Sequence, residues 1–499
     1  MALQFRELTI SKAHDGYRSG NFTARQVVEY YLDRIQRLDK DASGPNLNSI
    51  LAVSSTALAE ADALDTHLKS TSSLKGSLHG IPVVIKDQAD TADLTTTYGS
   101  IVAKDNVPKE DAALVAKLKA AGAIVLAKTT MPDWATSWHS TSSVSGVTKN
   151  PYDLTRDPGG SSSGTGTAVA ADLGLVGIGE DTGGSIRLPS FFCGLVGLRC
   201  TPGTISRFGL SPLLVPQDTP GPMCRTVTDA ALMLDVLAGF DERDPYTATA
   251  VISGPPKGGS YAANLSVGKI KSARLGILEG TLGPESDPAC RSVNKVFNDT
   301  LQTLQDNGTT LVNVQLPDLA QILSLTFTYP QRSRSDLDAW FARHAFLKTD
   351  TKTIHDSKQY HPALDLFEDI ALGPVTPERD PAFTSRLLAR DRLQQAVVSL
   401  VAKYDLDALA FPDCQIAAPL LKDVLAQRWL AGKFPTNTLV ASQSLMPAIS
   451  VPAGLTQDGA GPSLPVGLEL LGLPYREQTL LELAYGVEQI VAGRQPPPL

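Results

Sequence analysis

The sequence predicts the α/β class on three observations. The apolar, β-branched run IPVVIK (81–86), the helical DAALVAKLKAAGA (111–123) and the strand-like AIVLAK (123–128) follow one another directly. The same alternation resumes at 273–316. The chain has 499 residues, 42% hydrophobic and 19% charged, and so can bury a large core.

Taken in order, residues 22–39 open on Thr23 as an N-cap and carry Val27, Val28, Tyr31, Leu32 and Ile35 at helical spacing, which predicts an amphipathic helix. A second helix is expected over 53–69. From 144 to 222 Gly, Ser, Thr and Pro dominate, interrupted by the apolar AVAADLGLVGIG, a texture of functional loops and not of a linker. A helix at 226–240, a surface loop at 252–272, a strand at 273–279, a helix at 289–306 and a strand at 309–316 follow. Residues 325–382 read as irregular, with many aromatics (Phe327, Tyr329, Trp340, Phe341, Phe346, Tyr360, Phe367). A long helix at 384–404 then runs into the strand-like DALAFPD. No repeat is evident, and no break in composition divides the chain.

Net charge is −8 with a pI near 5.5 and without a Lys/Arg block, which argues against a nucleic-acid partner. The start, MALQFRELTISKAHDGYRSG, lacks a signal-peptide pattern, and no apolar run reaches the roughly 18 residues that span a bilayer. A cytoplasmic protein with no membrane attachment is therefore expected. Five cysteines, none in a C-x-x-C pair, predict free thiols. The seven histidines form no H-E-x-x-H or similar ligand pair, and GTGTAV has Val169 where a dinucleotide fingerprint needs its third glycine, so neither a metal nor a cofactor is implied.

Three polar anomalies remain. Lys86 closes the apolar run 81–85; a lysine drawn into the protein there loses hydration and becomes a base near neutral pH, although a strand-end pair with Asp87 accounts for it equally. The segment DPGGSSSGTGTAVAA (157–171) leads into a helix starting near Ser162 or Ser163, and it is either a ligand-approaching loop or a flexible serine tract. Its Gly160-Ser161-Ser162-Ser163-Gly164 matches a G-x-S-x-G elbow, but an elbow needs a buried strand before it, and here stands the polar NPYDLTRDP. The third is GEDTGGSIRLPS (179–190). Ser185 follows a predicted strand, Gly183 and Gly184 let successive N–H groups converge as an oxyanion hole requires, and Asp181 and Arg187 flank the turn. A plain tight turn remains the alternative.

Together HGIPVVIKDQ (79–88), TTTYGS (95–100), GGSSSGTG (159–166) and GEDTGGSIRLPSFFCGLVGLRCTPG (179–203) closely resemble the amidase signature family, and weaker likeness extends to PAISVPAG (447–454) and LPVGLELLGLP (464–474). The resemblance implies a single α/β/α domain over 1–499 with a central mixed β-sheet surrounded by helices, a signature core at about 75–225 and a variable substrate-pocket region at about 310–440. It implies Ser185 as acyl-accepting nucleophile, Ser161, 24 residues earlier, as a bridging serine with a cis peptide, and Lys86 as terminal base. The N–H groups of Thr182, Gly183, Gly184 and Ser185 would form the oxyanion hole, Asp181 and Arg187 would support the turn, and Trp134 and Ala135 would line the acyl pocket.

The sequence departs from the family pattern at Ser163, at Arg199-Cys200 and at Leu445, which leaves the three catalytic positions intact and bears on pocket shape. The expected activity is hydrolysis of a small-molecule amide, anilide, amidated peptide or carbamate through an acyl-enzyme, by a monomer or homodimer. The alternatives are the glutaminase subunit of a tRNA-dependent amidotransferase, an α/β-hydrolase acting through Ser162 and a histidine, and a binding-only protein.

Overall fold

The apolar run at 81–86 forms a strand because both of its faces are covered. In the computed structural model, which describes residues 5–344, 347–457 and 462–499, Pro82–Lys86 is buried along its whole length. In chain order the strands are β1 (Ile50–Val53), β2 (Pro82–Lys86), β3 (Ile124–Thr129), β4 (Val176–Asp181), β5 (Val196–Arg199), β6 (Thr219–Cys224), β7 (Arg274–Leu278), β8 (Thr310–Val314), β9 (Ala408–Phe411), β10 (Ala448–Leu455) and β11 (Pro465–Leu471). They join one eleven-stranded sheet in the order β1-β3-β2-β4-β6-β5-β10-β11-β9-β7-β8. Parallel pairs (β2 with β3 and β4; β7 with β8 and β9) are joined through antiparallel ones, so the sheet is mixed.

The parallel register β2/β4 pairs Val83 with Val176 and Ile85 with Ile178. It brings the carboxyl ends of both strands, Lys86 and Glu180-Asp181, to one edge.

Helices cover both faces. The predicted first helix spans Ala24–Arg34 with Thr23 and Gln26 closing a capping box, and continues as a π-helical stretch, Ile35–Lys40. The helix expected at 53–69 starts later, at Ala57–Thr71, because Ile50–Val53 pairs with β3. Helices at Ala113–Ala120, Val227–Leu237, Pro288–Asp306 and Phe383–Tyr404 fall where the apolar spacing puts them.

The 325–382 segment, read as irregular, is helical: Leu319–Thr326, Tyr329–Arg343, Thr351–Asp356 and Asp365–Leu372. Three of the four have eight residues or fewer, too few turns for a period to show, and Tyr329–Arg343 opens on Pro330 and the polar QRSRSD. Their aromatics build a second apolar core with Tyr98, Trp134, Trp138 and Leu213, distinct from the large core around the β2–β4 end of the sheet. Phe346 lies outside the described residues.

Candidate active site

Lys86 ends β2 fully buried, with its Nζ 2.8 Å from Ser161 Oγ and 3.1 Å from the Glu180 carbonyl oxygen. It does not engage Asp87 in a strand-end pair; Asp87 accepts from the amide and hydroxyl of Thr97 and from the Gly99 amide. Burial pulls the lysine below its ordinary 10.5, the Glu180 and Asp181 charges opposing. Burial thus makes the amine easier to deprotonate than an exposed lysine. A second fully buried lysine, Lys128 on β3, hydrogen-bonds Ala89, Thr91 and Thr96, and so ties the loop after Lys86 to the sheet.

The peptide Gly160–Ser161 is cis. Gly160 is required there, because a Cβ would sit 2.3 Å from the His139 carbonyl oxygen. Ser162 precedes the helix Ser163–Ala170, and its hydroxyl is closed onto the Glu180 backbone, 3.3 Å from both the amide and the carbonyl. The residues before it form no strand, so the elbow geometry is absent. The Ser162 amide donates to the Ser185 carbonyl at 3.2 Å, stitching the two serine loops together.

Ser185 stands on the turn between β4 and the helix Arg187–Cys193, only 5% exposed. Asp181 organises that turn. Its carboxylate accepts from the Gly184 amide (2.8 Å), the Ile186 amide (3.1 Å), Arg187 Nε and Nη2 (both 3.1 Å) and Arg199 Nη1 (2.8 Å). Burial opposes its ionisation, but the two guanidiniums overcome burial and hold the carboxyl well below the usual range.

Arg187 also reaches Glu469, the Thr438 carbonyl and Ser442. Trp138 Nε1 and Thr438 Oγ1 donate to the Gly183 carbonyl at 2.9 and 2.8 Å, which fixes the plane of the Gly183–Gly184 peptide. This corrects one expectation: the Gly184 N–H is committed to Asp181 and is not free for an oxyanion. Gly184 itself cannot be replaced cheaply, having φ +120° and Thr438 Oγ1 2.0 Å from a would-be Cβ.

The cavity over Ser185 is lined by Ala135, Ser137, Trp138, Thr182, Gly183, Leu213, Tyr329 and Leu366. Ala135 is among these lining residues. Trp134 does not line it: with φ 53°, followed by Ala135 at φ 61°, its indole is turned into the aromatic core, stacked on Tyr98 at 5.6 Å. Sequence reasoning missed Trp138, Leu213, Tyr329 and Leu366, which carry no local motif. It also missed Arg199, read only as a departure, and Glu180, hidden inside the serine turn's own motif. Leu445, at the other departure, keeps φ 58° without being glycine.

A family model described as Amidase matches residues 26–481. A glutamyl-tRNA(Gln) amidotransferase subunit of Alkaliphilus metalliredigens is 32% identical, the alignment covering 98% of this chain and 97% of that protein. The peptide amidase of Stenotrophomonas maltophilia superposes with a TM-score of 0.84 at 31% identity, over 99% of each chain. An amidase family protein from Bacillus anthracis gives 0.84 at 28% identity, over 100% of this chain and 94% of that one.

The chain belongs to the amidase signature family. It is a hydrolase of amide C–N bonds, built on that family's mixed α/β fold. Among the described residues no helix is long and apolar enough to cross a membrane.

Proposed function

We propose that the protein is a stand-alone amidase, one functional unit from end to end, working in the cytoplasm as a monomer or homodimer through a covalent acyl-enzyme on Ser185. The observation that carries this is the buried Lys86–Ser161 hydrogen bond directly behind the Ser185 turn. Neutral Lys86 accepts the Ser161 proton as Ser161 accepts that of Ser185, so the alkoxide forms only as it attacks the carbonyl carbon. The developing oxyanion meets the N–H groups of Thr182, Gly183 and Ser185. Run in reverse, the relay protonates the leaving nitrogen, and water then cleaves the acyl-enzyme through the same groups.

Among the described residues lining the cavity none is charged, and Trp138, Leu213, Tyr329 and Leu366 favour an apolar or aryl acyl group. Anilides, amidated peptides and aryl carbamates fit that lining better than free glutamine, whose charged α-groups need buried counter-charges. The likeness to a peptide amidase agrees with this choice. The near full-length likeness to tRNA-dependent amidotransferase subunits supports a second reading, a glutaminase delivering ammonia to a partner.

One experiment separates them. Purified chain alone is assayed on amides, anilides, esters, carbamates and glutamine, with Ser185→Ala as control. Turnover of aryl or peptidyl amides, lost in the variant, supports the first reading; inactivity on every substrate together with a co-purifying partner protein overturns it. Intact mass after a serine-reactive phosphonate, lost in Ser185→Ala, identifies the nucleophile.

A further inference from the structure

Glu180, the residue before the turn-organising Asp181, is placed where the relay does not explain it. Its Oε2 lies 3.5 Å from Lys86 Nζ, the two side chains 2% and 1% exposed, and among the described residues that oxygen has no hydrogen-bond partner. Its Oε1 is 3.3 Å from the Thr182 hydroxyl, whose single proton goes to Asp218 at 2.6 Å. A carboxylate here is therefore held against the base, with few donors to satisfy it other than Lys86.

We propose that Glu180 is a positioning residue that shares one proton with Lys86 and so sets the base strength of the relay. The inference rests on the Lys86–Ser161–Ser185 relay proposed above. Burial alone drives a lysine towards too weak a base; an adjacent carboxylate restores its proton affinity. The groups facing Glu180 fix how far. From β2 Lys86 favours its anion, as does Arg199 from β5, while Asp218, from the loop before β6, and its own neighbour Asp181 disfavour it; Tyr329 from the overlying helix is uncharged, its phenol pushed well above the ordinary 10 by burial. Burial and the Asp218 charge together push Glu180 well above the ordinary carboxyl range, while burial brings Lys86 down, so the two groups 3.5 Å apart compete for one proton. In the reactive form the pair holds no proton, neutral Lys86 standing beside the Glu180 carboxylate; the proton that Lys86 takes from Ser161 is the one the two share, the carboxylate stabilises the ammonium, and the proton returns to the leaving nitrogen by the same route, so none is gained or lost by the pair over a turnover.

The test is the pH dependence of phosphonate labelling at Ser185 and of kcat/KM in wild type, Glu180→Gln and Glu180→Ser, with thermal melts to verify folding. Both variants remove the carboxylate, so Lys86 becomes less basic: the acid limb is expected to move down by about one pH unit or more, and the plateau to fall by about tenfold with the weaker base, with KM unchanged. An acid limb that stays in place, or moves up, in whichever variant folds overturns the inference. Absence of Ser185 labelling in wild type would instead overturn the relay itself, so the two failures are distinguishable.

Discussion

Gly183 and Tyr329 face each other across the Ser185 cavity, and their contact can be tested as a pair. An alanine at 183 would put its Cβ 2.2 Å from the Tyr329 hydroxyl oxygen, inside the 3.0 Å that real Cβ contacts do not cross. The phenol has no easy retreat: its ring is wedged edge-on to Trp138 at 6.0 Å and against Phe327 at 4.9 Å. Deleting the hydroxyl with Tyr329→Phe leaves Trp138 Cζ2 at 3.1 Å and the phenyl ring's own Cζ at 3.3 Å as the nearest atoms, a relief of about an ångström.

Gly183→Ala alone should therefore cost about 1–3 kcal/mol of stability, the range for overpacking a filled core. It should also lower kcat/KM by about a hundredfold, since the displaced wall lines the same cavity as Ser185. In Gly183→Ala/Tyr329→Phe most of both losses should return, giving a coupling energy of at least about 1 kcal/mol. Denaturant midpoints and kcat/KM across the four-member cycle measure it. Effects that add to within about 0.5 kcal/mol would refute the contact.

Lys86→Met is expected to lower kcat/KM by about 10²–10⁴ as the base is lost. Because the folded protein holds Lys86 below its ordinary 10.5, the unfolded chain binds the extra proton; the penalty vanishes above 10.5 and grows as pH falls towards the folded value, so the stability difference between wild type and variant should rise with pH through that window. Arg187→Met removes the guanidinium from buried Glu469 and one of the two from Asp181, which keeps Arg199, and should cost about 3–5 kcal/mol, read by urea denaturation. Ser161→Ala should lose at least about a hundredfold in labelling rate, whereas Ser162→Ala should label Ser185 at near wild-type rate. His355→Asn and His361→Asn should leave labelling and kcat unchanged; loss in either would revive a histidine-based mechanism.

The reach of sequence reasoning follows from how each signal arises. The strands 81–86 and 123–128 are legible because a strand covered on both faces reads as an unbroken apolar run, and Thr23 because a capping box is a local device. The strand approaching Ser185 is legible for the same reason as β2. By contrast the helix Ile10–Ser19 buries one face, Ile10, Ala13, His14, Gly16 and Tyr17, but three of these are alanine, histidine and glycine, so the stripe is not marked by large apolar residues. The helices Tyr329–Arg343 and Asp365–Leu372 escape because the first carries its large apolar residues only near its two ends, with the polar QRSRSD between, and the second is eight residues long. Glu180 and Arg199 gain their meaning from neighbours on other strands, at Lys86 and Asp181, and no window along the chain contains both members of either pair.

The placement of β2 and β4 side by side has a consequence for how this enzyme can diversify. On the proposed mechanism proton transfer and oxyanion binding sit at one edge of the sheet, whereas the wall over Ser185 is shared between the segments that supply Ala135, Ser137, Trp138 and Leu213 and the helical stretch 329–372, which supplies Tyr329 and Leu366. The two inventories share few residues. Exchanging Leu213, Tyr329 and Leu366 for the residues of relatives should shift selectivity while leaving the reaction intact, which makes these wall positions the natural set for library design.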